Sequence, residues 1–271
     1  NPHIILTGAD YLKTGIFVLV AMLFIAVNLL LGFFVSSLTS KPAHTLNLLL
    51  IIWILLAIIM PGVSWIFAQK YIEVPSEERI KERLDQERNK LWESGRYSLS
   101  WRSDWAGQPP NEQVRRRAAY YQDTEALRQQ LYREYLEQKF AQTDLAISLS
   151  KLSPFSLFGF FGERLSDNGY YGLKRFVEQE RIYRTTFNDF LTHRDQQDRE
   201  SHHLLWNEEW ASRTFGSQKQ VSYEAIPRFE YRPPNISEIL HKSQWDLFIL
   251  AWWGIGLFTA TFIGFSAYDG R

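Results

Sequence analysis

Three stretches of this chain, residues 15–35, 46–67 and 247–265, carry no charged side chain at all. Each reaches roughly the 20 apolar residues that a helix rising ~1.5 Å per residue needs to cross the hydrocarbon of a bilayer. In that layer every backbone amide must bond within its own segment, so an α-helix is the form these runs must take. A mean hydropathy slightly below zero hides them, because the apolar residues collect at the two ends of the 271-residue chain and the charges in its middle.

The fold class expected is therefore mainly α: a polytopic membrane protein with three transmembrane helices and a largely helical extramembrane domain. Residues 1–68 form a transmembrane hairpin, with spans at about 15–35 and 46–67 joined by the polar segment from Ser36 to Thr45. Residues 69–243 form the extramembrane domain, and residues 244–271 the last transmembrane helix with a short tail. With three spans, the domain and the C-terminus lie on opposite sides of the membrane. Charge does not say which side is which: Lys41 and Arg271 mark one side, Lys70, Arg232 and Lys242 the other. Trp65 and Trp245 stand where aromatic side chains anchor at the lipid–water boundary, with Trp252 and Trp253 further along the last span. Pro61 is either a hinge or a simple helix end, and the helix end is the preferred reading. Gly32, Gly254, Gly256 and Gly264, with Pro61, are the candidate helix-packing positions, since small residues let backbones approach closely. The chain begins at Asn1 with no initiator Met and no signal-peptide pattern, which suggests a fragment.

In the middle domain, Ser76 followed by Glu77 and Glu78 reads as a capped helix start. Ile80, Leu84 and Leu91 follow on one narrow face. A long helix is expected after Pro109-Pro110-Asn111, with Leu127, Leu131, Tyr135 and Phe140 near helical spacing. Another is expected from about Gly172, where Phe176, Tyr183, Phe187 and Leu191 recur as core contacts. Between them, residues 149–161 are too short to span and too apolar for water. Leu152, Pro154, Phe155, Leu157, Phe158, Phe160 and Phe161 are therefore expected at the membrane interface or in a re-entrant turn, the alternative being a core turn inside the soluble domain. The proline-rich run from Ile226 to Pro234 is an extended connector to the last span.

The search for chemistry is mostly negative. Without cysteine there are no disulfides, thiolate nucleophiles or Cys-ligated metal centres. Thirty basic side chains balance thirty acidic ones, so no basic field points to nucleic acid. There is no phosphate-binding loop of P-loop spacing, so this chain does not itself hydrolyse ATP by that route. His193, Asp195, Asp198, His202 and His203 could be imagined around a metal, but a solvated helix face is the expectation. No metal site, cofactor site or catalytic group is assigned. Arg115, Arg116 and Arg117 are expected on a helix surface beside acids. The spans hold almost no ionisable residue, which disfavours an ion-coupled pump; Asp246 is expected at a span's edge, in reach of water.

Several runs nevertheless form a pattern. Asn28-Leu-Leu-Leu-Gly-Phe-Phe-Val-Ser-Ser-Leu-Thr-Ser-Lys-Pro-Ala-His-Thr45, followed by an apolar helix with Trp53 and Pro61, resembles the penultimate span pair of ABC-2-type permeases. The ending Phe265-Ser-Ala-Tyr-Asp-Gly-Arg271 is similar to the tail of that family. Leu152-Ser-Pro-Phe-Ser156, Asn168-Gly169 and the connector at 226–234 resemble its subgroup with a large insertion before the last helix. The resemblance implies the fourth to sixth spans of a permease subunit in a bacterial inner (cytoplasmic) membrane, with the large domain extracytoplasmic. It further implies membrane lipid, a nucleotide-binding ATPase subunit and a second permease chain as partners, and no enzymatic activity in this chain. The alternative is a non-catalytic scaffold or accessory subunit of a larger membrane complex, with Trp101, Trp105, Trp206 and Trp210 as docking anchors.

Overall fold

The computed structural model describes residues 7–97, 112–204 and 213–268. Trp101, Trp105, Trp206 and Trp210, the Pro109-Pro110-Asn111 run and the tail from Asp269 lie outside the described residues. Among the described residues the chain is mainly α, with no strand. Helix α1 is Gly8–Ser37, α2 is Pro42–Ile54, and a π-helical turn, Leu55–Ile59, leads directly into α3, Met60–Tyr71. Then come α4 (Glu77–Glu93), α5 (Glu112–Ser150), α6 (Pro154–Ser166), α7 (Gly169–Gln196) and α8 (Ile236–Tyr268). Among the described residues three helices are long and apolar enough to cross a membrane: Gly8–Ser37, Pro42–Tyr71 and Ile236–Ser266. Each of the first two has 30 residues, about 45 Å of helix, enough for the hydrocarbon and part of both headgroup layers.

The chain divides into two compact units. The first contains residues up to Ile72, Ala141–Phe176 and Arg232–Arg271; the second contains Glu73–Phe140 and Val177–Tyr231. The first unit thus includes much more than the hairpin and the last span. Residues 141–176, which the sequence reading placed in the extramembrane domain, pack with the spans.

In the first unit α1 and α8 run side by side in the same direction. Gly254 lies opposite Val27, a Cβ there falling 3.7 Å from Cγ2 of that valine, and Gly264 lies against Ser37. Thr261 also donates to the Leu30 carbonyl at 3.4 Å. The α2–α3 helix returns between them in sequence, so α1 goes one way, α2–α3 the other, and α8 the first way again. The shared core is Val20, Val27, Leu31 and Val35 of α1, Leu250 and Leu257 of α8, and Leu157, Phe161 and Leu165 of α6. On α1 these positions recur at helical spacing and form one stripe.

In the second unit α4 starts where Ser76 accepts a hydrogen bond from the Arg79 amide at 3.3 Å, with Glu77 and Glu78 in the first turn. Leu131 and Tyr135 of α5 are buried, as the spacing predicts. On α7 the stripe is weaker than expected. Tyr183 packs on Phe187 and on Phe229 of the connector and donates to the Pro227 carbonyl at 3.2 Å, whereas Leu191 is 41% exposed and Phe176, at the edge of the first unit, 46% exposed. Arg117 corrects another expectation: it is buried, over the ring of Tyr121 and beside the small core of Val114, Ala118, Leu204 and Phe215.

Candidate functional site

Helix α6 explains how the first unit is built. Ser153 caps it, accepting from the Phe155 amide at 3.2 Å, with Pro154 at the first turn where its missing N–H costs nothing. It ends at Asp167, whose left-handed φ of 51° lets Asn168 N–H reach back to the Glu163 carbonyl at 2.9 Å. Gly172 is needed at the start of α7, because a Cβ there would meet the Asp167 backbone.

The direction of α6 follows from its aromatic contacts. Phe155 meets Phe24 and Trp53 edge-on, Phe158 stacks on Phe24 at 4.6 Å and touches Phe17, and Gly162 faces Phe17. Moving forward along α6 therefore moves backward along α1. The turn at Lys151–Ser153 lies level with Phe24, Trp53 and Leu56, near the midpoints of the first two spanning helices, and α6 climbs from there. Its tip is bonded in place: Trp253 Nε1 donates to the Leu152 carbonyl at 3.2 Å, and Ser153 Oγ donates to the Leu56 carbonyl at 2.7 Å. The non-helical backbone of this turn thus sits at mid-height of helices long and apolar enough to span a membrane, with its polar groups held by protein partners.

The Ser153 bond also accounts for Pro61. The span does not end at Pro61, as the sequence reading preferred, but runs on to Tyr71. In the π turn the Met60 amide bonds back to the Leu55 carbonyl, five residues away. In that register the donor for the Leu56 carbonyl would be the amide of residue 61, which proline lacks. The Ser153 hydroxyl supplies the donor that Pro61 cannot.

At the upper end of α6 lies the site's charged centre. Asp246 is 2% exposed rather than in reach of water. Arg164 Nη1 donates to Asp246 Oδ2 at 2.6 Å, to the Lys242 carbonyl at 3.0 Å and to Ser243 Oγ at 3.2 Å. Its Nη2 donates to Tyr171 Oη at 2.8 Å, and its guanidinium carbon lies 4.1 Å from the centre of the Tyr171 ring. Burial pushes the Tyr171 hydroxyl up to about 12, against the opposing pull of Arg164. Lys151 Nζ lies 2.7 Å from Asp246 Oδ1 as an ion pair, off the direction a hydrogen bond needs. Outside this knot, Arg175 pairs with Asp167 and Glu238, Glu238 pairs with Lys242, and Lys174 pairs with Asp144 at 2.7 Å.

The structure places the interface residues unequally. Pro154, Leu157 and Phe161 are buried, because one face of an amphipathic α6 is covered by α1 and α8. Phe155, Phe158 and Phe160 are partly buried, and Leu152 is exposed. Trp65 and Trp245 are exposed on the helix surfaces. Of the glycines, Gly254 and Gly264 face α1, whereas Gly32 and Gly256 have open space where a Cβ would be. Local sequence alone does not connect Lys151 and Arg164 with Asp246. The available signal was that Arg164 is the first cation after the apolar face of α6 and Asp246 the last charge before an uncharged span.

In the second unit Asp195 and Asp198 are buried, not solvated. Asp195 accepts from Ser201 Oγ at 2.6 Å and the Ser217 amide at 2.9 Å, and pairs with His203 Nδ1 at 3.1 Å. Asp198 accepts from Ser217 Oγ at 2.5 Å and the Glu200 amide, and pairs with Lys219 at 3.1 Å. The Ser217 hydroxyl, then the Glu200 amide and Lys219, hold Asp198 below the usual carboxylate range. Ser201 bonds to Asp195 rather than to the imidazole, so the trio lacks the serine–histidine contact of a nucleophile and base. His193 bonds to Gln197 and His202 lies against Phe215. These carboxylates tie the turns after α7 together. Among the described residues no group of three or more His, Cys, Asp or Glu is placed to hold a metal ion. No family model, curated protein or solved structure matches the chain.

Proposed function

We infer that this chain is the membrane-spanning part of a permease subunit of an ABC-type exporter, powered by a separate ATPase. The observation that carries the reading is a three-helix bundle that has, among the described residues, no polar path of its own and that leaves apolar faces uncovered. Along α8, Trp245, Phe248, Trp252, Ile255, Phe258 and Phe262 are each more than half exposed. Asp246, the buried carboxylate at the edge of the last span, is already answered by two cations, Arg164 and Lys151, so it offers no free site for a transported proton or ion. A solute route therefore has to form against further helices, which a second permease chain supplies. The runs Asn28–Thr45, Leu152–Ser156, Asn168-Gly169, Ile226–Pro234 and Phe265–Arg271 support the same family by resemblance. In this reading the second unit is extracytoplasmic and shapes the exit side or receives a partner there.

The full-length protein should purify in mild detergent as a pair of permease chains with an ATPase pair, and vesicles of the complex should hydrolyse ATP only when this subunit is present. A stoichiometric complex without a nucleotide-binding chain, repeated across several detergents, sinks export and favours the scaffold. Sidedness has its own test: a single cysteine at exposed Gln220 should react with an impermeant thiol reagent in intact spheroplasts. Labelling only after lysis reverses the topology.

A further inference from the structure

We propose that Lys151 and the recess below it on α8 form a binding site for an anionic glycerophospholipid, the phosphate on the lysine and one acyl chain in the recess. Two cations meet one carboxylate in the knot, and they are not equivalent. Arg164 is 12% exposed and bonds Asp246 directly, while its other donors go to Ser243, the Lys242 carbonyl and Tyr171. Lys151 is 24% exposed, and among the described residues its ammonium meets only an oxygen of that same, already neutralised carboxylate. Among these three side chains one positive charge is in excess, and Lys151, the more exposed of the two cations, is the one without a second acceptor. Of the nearby carboxylates, Asp144 is paired with Lys174 and accepts from Tyr170, and Glu163 accepts from the Tyr170 amide, which bonds it without neutralising it.

The apolar half of the site continues from the charged half on the same helix face. Asp246, Ile249, Trp253 and Gly256 follow at intervals of three and four residues. Ile249, Trp252, Trp253, Gly256 and Leu257 line a recess of about 230 Å³. The recess begins one turn beyond Asp246 and spans Ile249 to Leu257, about 12 Å along the axis, towards the bilayer centre. The bond from Trp253 to the Leu152 carbonyl joins the turn that carries Lys151 to one wall of the recess. Lys151 itself leaves the backbone deep in the turn and reaches back up to Asp246, as a lysine in hydrocarbon does. A cation with an apolar recess below it, able to take part of an acyl chain, matches a phospholipid and does not match a free anion.

The test uses the full-length protein in nanodiscs with equal amounts of phosphatidylglycerol and phosphatidylcholine, ejected for native mass spectrometry. Wild type should retain phosphatidylglycerol in preference to phosphatidylcholine. Lys151→Met should lower that retention about fivefold, the effect of one basic side chain at a membrane surface, and Lys151→Arg should restore it. Gly256→Phe should also lower it, by filling the recess where a Cβ meets open space; this variant leaves every ion pair intact and decides the matter even if Lys151→Met folds poorly. Equal retention of both lipids by wild type, or undiminished retention by Gly256→Phe, overturns the site. So does inorganic phosphate displacing the lipid, since that leaves the recess without a role. The proposal is independent of the ATPase: a chain that holds this lipid but never meets a nucleotide-binding partner refutes export alone.

Discussion

Replacing Arg164 with Met keeps a side chain of similar reach but removes every bond the guanidinium makes. Asp246, 2% exposed, would then face only Lys151, which sits off the hydrogen-bond direction. Removing one member of a buried pair costs about 3–5 kcal/mol, because the other charge stays buried. The remaining Lys151 places this case at the low end, about 3 kcal/mol. For a chain of this size that corresponds to a midpoint of thermal unfolding lower by about 6–12 °C. Asp246→Leu alone should cost a comparable amount, since Arg164 would keep a desolvated charge against Ser243, the Lys242 carbonyl and Tyr171. The double variant removes both charges, and Lys151 can turn out to the headgroups. It should be clearly more stable than the sum of the two losses, with a coupling of about 2 kcal/mol. Unfolding of the detergent-solubilised protein, followed by tryptophan fluorescence, measures all four corners of the cycle. Strict additivity, or a single-variant loss under about 1 kcal/mol, would show that the knot is solvated and that the buried-pair reasoning fails.

Other expectations follow from the same contacts. Ser153→Ala should cost about 1–3 kcal/mol by leaving the Leu56 carbonyl unsatisfied, and adding Pro61→Ala, which restores the missing N–H, should recover part of it; no recovery in equilibrium unfolding would disconnect the two residues. Gly264→Leu should disrupt the α1–α8 contact, since even a Cβ there lies 3.0 Å from Cβ of Ser37, while Gly32→Leu meets nothing within 4 Å and should be tolerated; equal losses in detergent-resistant yield would argue against this helix pairing. Phe161→Ala should cost about 3–5 kcal/mol because its ring is buried among the spans, and a near-neutral result would put α6 back on the membrane surface. Tyr171 stays protonated in the folded protein up to about pH 12, whereas an unfolded tyrosine loses its proton near pH 10. The unfolded state thus binds fewer protons between those values, and stability should fall as pH rises through them, by on the order of 1 kcal/mol after allowance for partial solvation. Tyr171→Phe should remove that slope, and an unchanged alkaline profile in the variant would contradict it.

The three spans were legible because a bilayer imposes a one-dimensional requirement, an uncharged run of sufficient length, and residues 15–35, 46–67 and 247–265 meet it without reference to any neighbour. The start of α4 at Ser76 was legible for a similar reason, since a cap acts within one turn. The roles of Pro61, Ser153, Lys151, Arg164 and Asp246 were not. Pro61 reads locally as a helix end, and only the Ser153 hydroxyl, 97 positions along the chain from Leu56, makes a continuous helix tolerable there. Asp246 reads as a solvated boundary charge, and only a turn from residues 151–153 brought to membrane depth turns it into a buried pair with Arg164, 82 positions away. Which segments enter the membrane is decided by local composition, because transfer from water to hydrocarbon is summed residue by residue. Which polar groups survive there is decided by tertiary packing, because a desolvated charge or carbonyl is stable only beside a partner that the fold, and not the neighbouring sequence, delivers.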